Sequence, residues 1–225
     1  MSFLKILFRE NTPIWDRCAE TPFVRGLRDG TLPLEKFKRY MIQDSIYLKH
    51  YARVYGKAIY HAETLREIQT YYSLLSFVTD TESAVRLDYL ARFGLTDDDM
   101  ELLAPLPENQ RYIDFLMETA ERGDTREILM AVLPCMLSYS YIFRRLAGEP
   151  GSAASRYWDF IRDYGDGQYA ENCREWCGFA EEKCGRLSEE KQGRLRAVFE
   201  RASLLEYDFW TMSWREPEQK EKVAE

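Results

Sequence analysis

The sequence predicts an all-α fold, with seven to nine helices in one domain. Apolar residues recur at helical spacing over most of the 225 residues, with no sustained alternation of period two. There are only 12 glycines and 8 prolines, too few for the many tight turns of a sandwich or barrel. No break between the periodic segments has the length or polarity of a domain linker.

The first helix is expected over 3–18. The second runs from 34 to 60, where Phe37, Tyr40, Met41, Tyr47, Leu48, Tyr51 and Tyr55 share one face. Thr31-Leu32-Pro33 supplies its start signal, and Gly30 closes the segment before it. Further helices are expected over 64–93, 109–121, 125–146, 154–163, 167–184 and 187–215. Glycine and proline mark the breaks between them: Gly94, Pro105 and Pro107, Gly123, Pro150-Gly151 and Gly185. Residues 1–216 then form one helical domain, and the charged stretch 217–225 is a tail expected to fray.

Composition removes several classes of function. The net charge is −7 and no basic stripe interrupts it, so a nucleic-acid partner is not expected. No uninterrupted run near 20 apolar residues suggests a membrane span, and MSFLKILFRE meets Arg9 and Glu10 too soon for a signal peptide. A cytoplasmic protein without membrane partners is the expectation. Its five cysteines, odd in number and unevenly spread, read as reduced thiols.

Cys173, Cys177 and Cys184 fall within about 40° of one another on a helix, but Cys184 lies roughly 16 Å along the axis from Cys173. One ion cannot bridge that distance, and no His or CxxC completes a zinc set, so the three read as packing residues. His50 and His61 belong to no Glu-x-x-His pair, which removes the usual di-iron bundle pattern. GxGxxG, P-loop and GxSxG motifs are absent too. Neither a metal nor a cofactor is expected.

Four segments combine polar groups with helix interiors. In MIQDSIYLKHY, Asp44 and Tyr47 project from one face, and Asp44 sits within the apolar stripe, where an unpaired carboxylate is costly. In VLPCMLSYSYIF, Pro134 removes a helical hydrogen bond and should kink the helix, at a cost of about 3 kcal/mol. Cys135 and Tyr139 follow it on one face, while Tyr141 points elsewhere and reads as packing. In SLLEYDFWTMSWRE, Glu206 lies among apolar residues that would raise its pKa toward a general acid or base. In RDYGDGQY, Tyr164 precedes an interhelical joint. Taken alone, each admits a plain structural reading: a satisfied aspartate, a buried thiol, a solvated glutamate, a turn tyrosine.

In their joint order these segments resemble the TenA, or thiaminase II, family. The matching stretches are TPFVRGLRDGTLPLEKFKRYMIQDSIYL (21–48), LPCMLSYSY (133–141), YGDG (164–167) and EYDFWTMSWR (206–215). The resemblance implies a haem-oxygenase-like helical bundle, a homotetramer, and no haem or required metal. It further implies hydrolysis of 4-amino-5-aminomethyl-2-methylpyrimidine to the hydroxymethyl pyrimidine in thiamin salvage, with thiamin itself as a second substrate.

Carried over by position, Cys135 is the expected nucleophile and Glu206 the acid/base group. Asp44 is expected to anchor the aminopyrimidine, with Tyr47, Tyr112, Tyr139 and Tyr164 around it. The chain departs from the family pattern at Thr21, at Arg86 four residues after Glu82, and over Asn109-Gln110-Arg111. Rival readings are a PQQ-synthesis-like or other haem-oxygenase-fold protein, and a catalytically silent pyrimidine binder or regulator. A protein of the first kind would want more histidine and arginine in its pocket.

Overall fold

Helices are the only regular elements of the computed structural model, which describes residues 2–215 apart from the side chains of residues 81–85 and 97. The expected tail over 217–225 lies outside the described residues. Helix α1 spans Phe3–Ala19 and α2 spans Pro22–Asp29. The second of these was not expected, although its signals are present. Thr21 Oγ accepts the Val24 N–H, Pro22 occupies the first turn, and Gly30 closes the helix at φ 69°. Its eight residues are too few to show apolar periodicity. Thr21, one of the departures, therefore has a structural task, and its hydroxyl also donates to the Cys18 carbonyl at 2.8 Å.

Helix α3 runs from Leu34 to His61, close to its expected bounds. The single helix expected over 64–93 is instead three pieces. They are α4 (Leu65–Ser76), a π-helical turn (Phe77–Glu82) and α5 (Ser83–Arg92). Period alone does not reveal such a turn, because one added residue per turn leaves the apolar pattern readable on both sides. A short α6 (Asp97–Glu101) is held by a Thr96–Asp99 capping box. Pro107 opens α7 (Pro107–Arg122), and Asp124 with Glu127 forms the capping box of α8 (Thr125–Gly148). After a 3₁₀ turn at Ser152–Ala154 come α9 (Trp158–Gly165), α10 (Gly167–Cys184) and α11 (Glu189–Trp214). Eleven α-helices among the described residues thus replace the expected seven to nine; the added ones are short.

Helix α8 is the centre of the molecule. Every residue from Ile128 to Ser140 is buried, and α1, α3, α7, α9, α10 and α11 pack around it. It is long and apolar enough by composition to cross a membrane, yet 78% of its most apolar window is buried against the other helices. That burial, rather than lipid, accounts for its hydropathy. Pro134 does not interrupt it. The Tyr51 hydroxyl of α3 donates to the Val132 carbonyl at 2.6 Å, tying the two helices together just before the proline.

Cys18, Cys173 and Cys184 are buried and Cys177 is half-buried, as packing residues would be. Tyr141 donates to Asp16 Oδ1 at 2.7 Å, a structural bond between α8 and α1.

Candidate active site

Four helices bring the separate sequence candidates to one place. Asp44 and Tyr47 come from α3, Tyr112 from α7, Cys135 and Tyr139 from α8, and Glu206 from α11. Together with Phe209 they line one interior cavity. The space between them is about 10 Å³, room for a single water. Phe209 was not singled out from the sequence, although its position three residues after Glu206 puts it on the same helix face.

Tyr164 does not line this cavity. Its ring stands behind Tyr139 at a centroid distance of 5.2 Å and packs on Phe143, Phe160 and Tyr169. It supports a wall rather than forming one.

Glu206 is the hub of the polar contacts. The Tyr112 hydroxyl donates to its Oε1 at 2.8 Å, and the Cys135 thiol donates to the same carboxylate. Burial pushes the Glu206 carboxyl up to about 7; the bonds from Tyr112 and Cys135 oppose that rise and the charge of Asp44 adds to it. Asp44 is likewise pushed up to about 7 by burial, with the Arg86 guanidinium pulling the other way.

The phenols of Tyr47, Tyr112 and Tyr139 are held well above their ordinary value by burial, so they remain O–H groups. The Tyr139 and Tyr40 hydroxyls are 2.6 Å apart. Tyr47 is stacked on Tyr51 at a centroid distance of 5.2 Å and lies tilted against Tyr112 at 4.8 Å, where its buried hydroxyl meets the Tyr112 hydroxyl.

The departures from the family pattern also find places. Arg86 on α5 is buried and its Nη1 donates to Ser45 Oγ at 3.2 Å, next to Asp44 on α3. The side chain of Glu82 lies outside the described residues. Asn109 is completely buried, and its Nδ2 donates to both the backbone and side-chain oxygens of Gln43, at 2.8 and 3.0 Å. Gln43 Oε1 in turn accepts the Leu106 N–H at 2.8 Å. The start of α7 is thereby fastened to α3 beside Asp44, and Tyr112 follows Asn109 by one turn.

No cluster of metal-ligating side chains occurs among the described residues. His50 is partly buried and His61 exposed, and neither lines the cavity. A wider groove of about 500 Å³ runs between α1, α8 and α10. It carries Tyr141, Arg144, Cys173 and Cys177 but no carboxylate, and burial pushes the Cys177 thiol up to about 12. An unactivated thiol without an acid or base is no match for the paired groups around Cys135.

An aminopyrimidine aminohydrolase of Halalkalibacterium halodurans is 30% identical over 217 residues, which span 96% of this chain and 97% of that protein. A solved structure described as a TenA family transcription regulator, from Silicibacter sp. TM1040, superposes with a TM-score of 0.85 at 28% identity. The match covers 94% of this chain and 96% of that one. A domain of unknown function with a haem-oxygenase-like fold, from Shewanella denitrificans, superposes with a TM-score of 0.70 at 19% identity, over 94% and 91% of the two chains. The fold is thus the haem-oxygenase-like helical bundle expected from the sequence. Residues 9–216 match the sequence profile of the TENA/THI-4/PQQC family, and the chain belongs to that family.

Proposed function

We propose that this chain is an aminopyrimidine aminohydrolase of thiamin salvage, acting on 4-amino-5-aminomethyl-2-methylpyrimidine and, secondarily, on thiamin. The observation that carries the reading is the meeting of Cys135, Glu206 and Asp44, from three helices, in one buried cavity walled by tyrosines. The name of the Halalkalibacterium relative, which matches almost end to end, supports it. The regulator named for the Silicibacter neighbour would need no thiol bonded to a buried carboxylate.

The substrate is flat, polar along its amidine-like edge and easily protonated. The Asp44 carboxylate holds that edge by charge-assisted hydrogen bonds, and the tyrosine rings lie against its faces. Glu206 takes the Cys135 proton, and the thiolate adds to the unsubstituted ring carbon of the protonated pyrimidine. The aromatic sextet is lost for the moment. Electrons then flow outward through the ring, and the exocyclic amine leaves as ammonia after receiving a proton. Water adds to the exposed methylene and gives up a proton. Expulsion of the Cys135 thiolate, reprotonated by Glu206, restores the ring. One difficult displacement becomes several easier steps. In total, aminomethyl pyrimidine and water become hydroxymethyl pyrimidine and ammonia, with no cofactor.

The aminopyrimidine is far larger than one water, so it enters only when the tyrosine walls part. A cytoplasmic homotetramer, with this small molecule as its ligand and neither nucleic acid nor membrane as partner, completes the proposal. Incubating the protein with the aminomethyl pyrimidine should yield ammonia and the hydroxymethyl pyrimidine in equal amounts. If neither product forms at neutral to mildly alkaline pH, the proposal is wrong.

A further inference from the structure

We infer that Tyr40, which stands outside the cavity, is a positioning residue that turns the Tyr139 hydroxyl proton toward the substrate. The inference rests on the reading that the cavity binds an aminopyrimidine.

Tyr40 lies one turn before Asp44 on α3 and is completely buried. Its ring is stacked on Trp210 at 5.5 Å and 9°, and stands edge-on to Phe160 and Phe209 at 5.9 Å each. A ring clasped on these sides cannot swing, so its hydroxyl stays 2.6 Å from that of Tyr139. Only one proton can lie between the two oxygens. If Tyr139 were the donor, its lone pairs alone would face a cavity that already holds the Asp44 and Glu206 carboxylates. Acceptor would then confront acceptor in a dry site, which is the costly arrangement. With Tyr40 as donor, the proton of Tyr139 is left to point into the cavity, toward a carboxylate when the site is empty and toward a pyrimidine nitrogen when it is filled. The bond from Tyr40 also polarises Tyr139 and makes it the better donor.

Burial keeps Tyr139 from ionising, so its hydroxyl is a permanent donor rather than a titrating one. A ring nitrogen that accepts this bond is more electron-poor, and so is the carbon attacked by Cys135. The gain is greatest once negative charge has moved onto the ring, so the effect belongs to kcat rather than to ground-state binding.

The test is a double-mutant cycle on ammonia release with Tyr40→Phe, Tyr139→Phe and the double variant. Tyr40→Phe keeps every ring contact and removes only the hydroxyl. It should lower kcat on the order of ten-fold, the size of one buried hydrogen bond, with KM nearly unchanged. Tyr139→Phe should cost more, and adding Tyr40→Phe to it should cost nothing further. A full-rate Tyr40→Phe, a loss confined to KM, or losses that multiply in the double variant would each overturn the inference while the native enzyme remains active. A native protein that releases no ammonia overturns the functional reading beneath it instead.

Discussion

At the residue scale, the site depends on what burial does to three groups. Glu206 and Asp44 are both pushed up to about 7, and the Cys135 thiol shares Glu206 with Tyr112. Glu206 must be ionised to accept the thiol proton, and Asp44 must be ionised to hold a protonated ring. The rate should therefore rise with pH through about 7, read as kcat/KM from pH 5 to 9. A profile flat across pH 6–8 would contradict this assignment.

Glu206→Gln should lose about 10²–10⁴ in kcat, the usual range for a general base. Tyr47→Phe keeps the ring and removes a hydroxyl whose partner is Tyr112 rather than Cys135 or Glu206, so its loss should be far smaller. Asp44, Cys135 and Glu206 stand out in the sequence as polar groups on apolar helix faces. Each alone reads at least as well as structural, and the order they share with the family is what singled them and the predicted tyrosines out. Tyr40 and Phe209 were not singled out, since nothing in a one-dimensional pattern separates a residue behind a cavity from one lining it. The same limit placed Tyr164 at the pocket, where the structure has it one layer out.

At the element scale, long helices were readable and short ones were not. Helices α3, α8 and α11 carry five of the six predicted residues that line the cavity, and each has enough turns to display its apolar face. Helix α2 and the π-helical turn were missed because one is too short for periodicity and the other alters the period by a single residue. Pro134 sits inside α8, which runs on past it, packed by α1, α3, α7, α9, α10 and α11.

The sixth lining residue, Tyr112 of α7, depends on the clamp between Asn109 and Gln43. Asn109→Ala removes both bonds and leaves Gln43 polar groups buried. We expect a loss of about 1–3 kcal/mol in unfolding free energy by denaturant titration, with a fall in activity as Tyr112 loses its place. An unchanged midpoint would show that the clamp is dispensable.

At the scale of the whole molecule, the bundle keeps two carboxylates in its interior at the expense of stability. Their folded pKa values lie above their ordinary ones, so the native state binds more protons than the unfolded state between about pH 4 and 7. Stability attributable to these groups is present at acid pH and is lost as pH rises through about 7. The loss is on the order of 3–4 kcal/mol for each group at mildly alkaline pH. Asp44→Asn should flatten this decline and raise the thermal midpoint at pH 8 relative to the native protein. An equal or lower midpoint at pH 8 would show that Asp44 is not held against its own ionisation. Such a gain in stability should accompany a loss of activity, the exchange expected where a site is built from strained groups.

The central claim is that four helices converge to make Cys135 a nucleophile for an aminopyrimidine. Ammonia release from the aminomethyl pyrimidine, compared between the native protein and Cys135→Ser near pH 8, tests it most directly. The account expects steady release by the native protein and a loss in the variant far beyond that of Tyr47→Phe. Undiminished release by Cys135→Ser would contradict it.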